Sequence, residues 1–214
     1  MDSTDESFFR ASFAALWLVF VADMALVSYL AKGSGVKKTT RHANRLQTTA
    51  LLIAVPYFMG VLLYILLPNW IMFLSIPFPD WFRLIMVGVA FLGILFISWG
   101  YWGIGKNWAP SVSGVRKDTV LVTTGPYHFV RHPIYSGLFV SLAAGGLVTA
   151  NMLILLLTVA LLVLLYASIG EEEAMLVERF GNEYRKYMKR TPRFIPKFRH
   201  ERSTLNREDQ HPTT

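Results

Sequence analysis

Cysteine is absent from all 214 residues, which excludes disulfides, thiolate nucleophiles and cysteine-bound metal. Charge is scarce as well: 16% of the residues are Asp, Glu, Lys or Arg against 53% hydrophobic, and the mean hydropathy is +0.40. That balance is too apolar for a soluble domain of this length and predicts a polytopic membrane protein. The five histidines stand at no zinc-site spacing, so no metal is expected. The N-terminal MDSTDESFFR has no basic stretch and leads to no small-residue cleavage site, so no removable signal peptide is expected. Internal repeats and low-complexity tracts are lacking.

What is present are apolar runs. Crossing about 30 Å of hydrocarbon takes about 20 helical residues, and the runs at 8–31, 49–67 and 82–105 meet or approach that length. Two shorter runs, 134–149 and 152–169, are separated only by Ala150 and Asn151, which predicts a tight helical hairpin. The expected fold is therefore all-α and integral to the membrane, with five transmembrane helices. From Glu171 the pattern changes: Met175, Leu176, Phe180, Tyr184 and Tyr187 recur at helical spacing amid charges. This predicts an amphipathic cytoplasmic helix ended by Thr191-Pro192. One domain is expected over 1–197, followed by a polar, disordered tail at 198–214.

The net charge of +7 gives the orientation. All the Lys and Arg residues except Arg10 and Arg83 fall at 32–47, 106–133 or 170–214, on one side of a five-span arrangement. By the positive-inside rule the N-terminus is outside and the C-terminus cytoplasmic, in the cell membrane if the source is prokaryotic. The basic loops then face anionic lipid, and no nucleic-acid partner is expected.

Polar chemistry concentrates in two places. In GPYHFVRHPIYSG (125–137), Pro133 suits the first turn of a helix and pushes His132 into a cap-like position. Backbone amides beside Arg131 and His132 favour a carboxylate or phosphate, Tyr135 can share the face of His132, and Gly137 permits close approach. The same residues also suit snorkelling to headgroups and an interfacial aromatic belt. The second place is Glu171-Glu172-Glu173, which spans roughly 200° of a helix, so at least one carboxylate turns toward the protein. A ligand's ammonium or hydroxyls, or Arg131, would satisfy it; a solvated helix end is the alternative. Asp23, inside the first apolar run, has either a functional or a structural role. Gly103-Ile104-Gly105 marks a helix end.

The order GPYHFVRHPIYSG, hairpin, EEE and ERFGNEYRKYMKRTPRFIP closely resembles the isoprenylcysteine carboxyl methyltransferase family, and more distantly the phospholipid N-methyltransferases, over about 105–197. The resemblance implies an S-adenosylmethionine-dependent methyltransferase acting on a lipophilic or small membrane-accessible acceptor. It places cofactor contacts on Thr119, Val120, Leu121, Val122, Tyr127, His132, Pro133, Ile134, Tyr135 and Glu172. Carboxyl O-methylation is the first expectation, with amine N- or thiol S-methylation on the same scaffold as the alternative. Where family members carry a substrate-contacting arginine about one turn before the cofactor glutamate, this chain has Ser168, which leaves Arg131 as the candidate substrate contact.

Membrane steroid reductases, which use NADPH, share an RHPNYxGE-like stretch. Here Ile134 replaces the asparagine and Leu138 stands where the acid would be, so a reductase is the weaker reading. A non-catalytic protein on the same fold is a third.

Overall fold

The computed structural model describes residues 3–32, 45–105 and 120–196. Thr119 and the segment 198–214 lie outside the described residues. Those that are described form seven α-helices: α1 (Ser3–Lys32), α2 (Arg45–Leu66), α3 (Asp80–Ile104), α4 (Pro126–Phe129), α5 (Pro133–Thr149), α6 (Met152–Phe180) and α7 (Asn182–Arg190), with two single 3-10 turns between α2 and α3. Three stretches are long and apolar enough to cross a bilayer, Glu6–Val27, Asp80–Ile104 and Met152–Phe180, and two shorter apolar helices, Leu52–Leu66 and Pro133–Thr149, accompany them. Leu, Val, Phe and Trp side chains remain exposed along these helices, as expected where lipid is the solvent. The chain is an integral membrane protein.

α3 and α5 pack backbone to backbone. A Cβ added at Gly137 would stand 2.6 Å from Ile97 Cγ1 and 2.7 Å from the Gly93 carbonyl oxygen, and one at Gly100 would meet Ile134 Cγ1 at 2.7 Å. Glycine at these turns brings the two helices close enough for extensive dispersion contact, the main source of helix association in lipid. The close approach expected at Gly137 is thus to α3.

The hairpin forms as expected, with Ala150 left-handed at φ 47° and Asn151 capping α6 by accepting from the Leu153 and Ile154 amides. Its tip docks on the α2–α3 connection, where Asn151 Nδ2 donates to the Ile71 carbonyl at 2.8 Å and the Ile76 amide to the Ala150 carbonyl at 2.7 Å. Beside the tip, Arg83 is fully buried. Its Nε donates to the Val148 carbonyl at 2.9 Å and its NH1 to Glu6 Oε2 at 2.8 Å, with the Phe9 ring 4.0 Å away. An arginine inside an apolar helix is retained because every side of it is satisfied.

One expectation is corrected. No new helix begins at Glu171: α6 runs unbroken for 29 residues to Phe180, and the break falls at Gly181, whose φ of 55° a residue with a side chain would resist. α7 follows, burying Tyr184 and Tyr187 while exposing Glu183, Arg185, Lys186, Lys189 and Arg190.

Candidate functional site

Pro133 starts α5 with His132 as its cap residue, as the sequence implies. Packing of Ile134 against Gly100 fixes this end of α5 on α3, and Gly103 makes room for Pro126 of α4. α7 closes the far side, where Tyr187 donates its hydroxyl to the Tyr127 carbonyl at 2.5 Å. Residues 192–193 then run alongside the loop, the Arg131 amide donating to the Pro192 carbonyl at 2.9 Å and the His132 amide to the Arg193 carbonyl at 3.1 Å.

Within this corner the three glutamates divide. Glu171 is exposed, Glu172 half-buried and Glu173 buried, which realises the angular argument made from the sequence. Glu173 is the centre of a knot: Arg131 donates from Nε at 3.0 Å and NH2 at 2.7 Å, His132 Nε2 lies 3.1 Å away, and Arg193 donates from the other side. The remaining Arg131 nitrogen, NH1, donates to the carbonyls of Met188 and Thr191 at 3.1 and 2.7 Å, capping the end of α7 with positive charge. The structure therefore places Arg131 as a partner of the protein's own acid and backbone.

Glu172 has a different setting. It accepts from the Tyr135 hydroxyl at 2.7 Å and has no guanidinium partner among the described residues. Tyr127, within electrostatic reach of Glu172, is buried on α4, and burial pushes its hydroxyl's pKa well above the usual phenol value. The Tyr184 hydroxyl, near Glu172 and Glu173, is buried with no hydrogen-bond partner among the described residues, a costly state for a donor unless a ligand completes it. His132, Pro133, Ile134, Tyr135, Tyr127 and Glu172 are thus assembled at one end of the helices, whereas Leu121 and Val122 are half-buried before α4 and Val120 is exposed. Thr119 lies outside the described residues.

Sequence reasoning missed Glu173 as the knot's centre, and it missed Arg193, Phe194 and Tyr184. Phe194 packs against His132, Phe139 and Tyr166. The only signal was that a row of three glutamates must bury one, and spacing could not say which.

Deeper between the helices lies a cavity of about 230 Å³, walled by α1, α2, α3, α5 and α6 and almost entirely apolar, with Phe13, Trp17, Ile94, Leu138 and Gly145 among its lining.

Against known proteins, residues 85–178 match the model of the isoprenylcysteine carboxyl methyltransferase (ICMT) family. That match covers somewhat less than half of the chain. Among relatives, the protein-S-isoprenylcysteine O-methyltransferase of Schizosaccharomyces pombe is 37% identical over 94 residues, 43% of this chain and 40% of that protein. The nickel-cobalt-cadmium resistance protein NccN of Alcaligenes xylosoxydans xylosoxydans is 31% identical over 117 residues, 55% and 53% of the two chains. The chain thus spans about half the length of these curated relatives. The solved structure of the eukaryotic intramembrane Ras methyltransferase ICMT aligns over 86% of this chain and 67% of its own, with a TM-score of 0.54 at 23% identity. That likeness establishes an ICMT-like membrane fold, and the matched segment contains His132, Tyr135, Glu172 and Glu173, while α7 and residues 191–194 lie beyond it.

Proposed function

We propose that this chain is an S-adenosylmethionine-dependent methyltransferase of the ICMT type, with the His132–Glu173 corner as its cofactor site. The observation that carries the reading is the Glu172–Tyr135 pair, inside the segment that matches the ICMT family, beside the Tyr184 hydroxyl just beyond it, which has no partner among the described residues. This donor set fits the cofactor. Glu172 offers an acceptor to an ammonium or ribose hydroxyl, and Tyr184 offers a donor to a carboxylate or hydroxyl. The buried Glu173 knot holds the backbone of 131–136 in place. Thr119, Val120, Leu121 and Val122 are proposed to flank the adenine.

When bound, the cofactor supplies a methyl group on a positively charged sulfur. The protein's part is to align donor and acceptor and to exclude water. α7 and residues 191–194 do the second, covering the corner from one side. The apolar cavity between α1, α3, α5 and α6 suits the hydrocarbon part of an acceptor arriving from the bilayer. Five spans, an outer N-terminus and α7 on the cytoplasmic surface complete the reading, on the strength of the basic-residue distribution.

The ICMT relationship makes a prenylated cysteine carboxylate the first acceptor to assay. A second reading, methylation of an amine or thiol, is favoured by a specific observation: both guanidinium groups of the corner already bind Glu173, and the Ser168 hydroxyl donates to the Leu165 carbonyl at 2.7 Å. All three groups are thus already engaged within the protein.

The deciding experiment is a thermal-shift comparison of purified protein with S-adenosylmethionine, S-adenosylhomocysteine and NADPH. The expected outcome is stabilisation by the first two and none by NADPH. Stabilisation by NADPH alone would transfer the corner to the reductase reading.

A further inference from the structure

Asp23 is an acid inside an apolar helix that neither the knot nor the cofactor pair absorbs. The residue is half-buried, and its Oδ2 is buried with no hydrogen-bond partner among the described residues. The face of α1 that carries it, with Phe20, Met24 and Val27, packs on Ile97 and Tyr101 of α3 and on Ile134 and Leu138 of α5. Helix rise gives the same depth independently. Glu6 and Arg83 pair at one end of α1 and α3, and Asp23 and Tyr101 lie about 25 Å further along each helix. Tyr101 feels the Asp23 carboxylate, and Tyr127 in turn feels both Tyr101 and Glu172. Asp23, Tyr101, Tyr127 and Glu172 therefore form one polar row across the bundle at the level of Ile134.

Among the described residues of α1, α3 and α5, no cation stands close to Asp23. α5 carries no charged residue. On α1 the only cations are Arg10, about three and a half turns from Asp23, and Lys32 at the helix end; on α3 the only one is Arg83, about five turns from Tyr101. A carboxylate oxygen left without a donor in an apolar layer is costly unless a ligand brings a cation. A second carboxylate brought to this place would be repelled.

Resting on the methyltransferase reading above, we propose that Asp23 receives the methyl acceptor and that the acceptor is the amine of a membrane lipid. An ammonium supplies both the charge and the donors that Asp23 lacks. Lipid reaches the neighbouring face of α1, where Leu26, one turn from Asp23, is 48% exposed. One N–H proton of the ammonium then passes to the Asp23 carboxylate, which acts as general base. The freed nitrogen lone pair forms a bond to the methyl carbon. The carbon–sulfur bond breaks with its electron pair on sulfur, giving a neutral thioether and a methylated ammonium product.

The test uses the full chain in lipid nanodiscs with methyl-deuterated S-adenosylmethionine and three probes: phosphatidylethanolamine, N-acetyl-S-farnesylcysteine and dodecanethiol. Mass spectrometry should find the label on the amine. Asp23→Asn should lower that turnover by about 100-fold or more, the range of a lost proton acceptor, with Asp23→Glu recovering part of it. Cofactor affinity by calorimetry should stay within about threefold in both variants. As a readout independent of turnover, dodecylamine should raise the melting temperature of the S-adenosylhomocysteine-loaded protein but not of its Asp23→Asn variant. Label on the farnesylcysteine carboxylate or the thiol with none on the amine overturns the proposal, and this arm needs no variant to fold. Undiminished amine methylation by Asp23→Asn overturns the role of Asp23. Absence of any S-adenosylmethionine binding instead removes the methyltransferase reading itself, and the proposal with it.

Discussion

Arg131 and Glu173, 42 residues apart in sequence, meet through two guanidinium nitrogens on one carboxylate oxygen, at 3.0 and 2.7 Å, with side chains only 8% and 6% exposed. Removing one member of a buried pair leaves the other charge uncompensated, a loss of about 3–5 kcal/mol. Arg131→Ala is therefore expected to lower unfolding stability in detergent by that order, and Arg131→Lys by less, since lysine keeps the charge but not the fork. Cofactor affinity of the folded Arg131→Lys protein should change little. A large affinity loss without a stability loss would return Arg131 to the role of a ligand contact.

Glu172 and Glu173 are neighbours with opposite expected phenotypes. Glu172→Ala is expected to weaken S-adenosylmethionine binding by about tenfold or more, equivalent to about 1.4 kcal/mol, with little change in melting temperature. Glu173→Gln should destabilise the protein first, because it strands the guanidinium groups of Arg131 and Arg193. Calorimetry and thermal melts on the two variants separate these outcomes, and identical profiles would contradict the division of labour.

The α3–α5 seam predicts a sharp contrast between two glycines. Gly137→Ala drives a methyl into Ile97 and the Gly93 backbone and is expected to cost about 1–3 kcal/mol. Gly88→Ala, with nothing within 4 Å, should be neutral or stabilising by up to about 1 kcal/mol through helix propensity. Denaturation midpoints of the two variants make the comparison.

Alkaline stability follows from the tyrosines of α7 and α4. Burial pushes the Tyr187 hydroxyl up to about 12, against the pull of Arg131 and Arg190, and burial also raises Tyr184 and Tyr127. A raised pKa means that folding favours the protonated phenol. Its contribution is complete below the ordinary value near 10 and is lost as pH rises through about 12. Melting temperatures should fall across that window, and Tyr187→Phe should make the fall shallower.

Much of this corner was legible in the chain because local chemistry fixed it. Pro133 cannot be placed inside a helix and so starts one, and Ala150-Asn151 leaves no room for anything but a turn. Three adjacent glutamates cannot all face water. The hidden part depended on partners remote in sequence. Which glutamate turns inward is decided by Arg131, His132 and Arg193 converging from two other segments. The length of α6 was misjudged because charge marks a change of surroundings, whereas a helix ends only where the backbone must change, at Gly181.

The amides of Arg131 and His132 find their acceptors on Pro192 and Arg193, and Ser136 Oγ donates to the Phe194 carbonyl. These acceptors are synthesised about 60 residues after the groups they satisfy, a delay of several seconds at ordinary translation rates of about 5–20 residues per second. The apolar helices can therefore enter the bilayer before the corner exists. The corner cannot close until residues 191–194 have been made, whatever the order in which the helices insert.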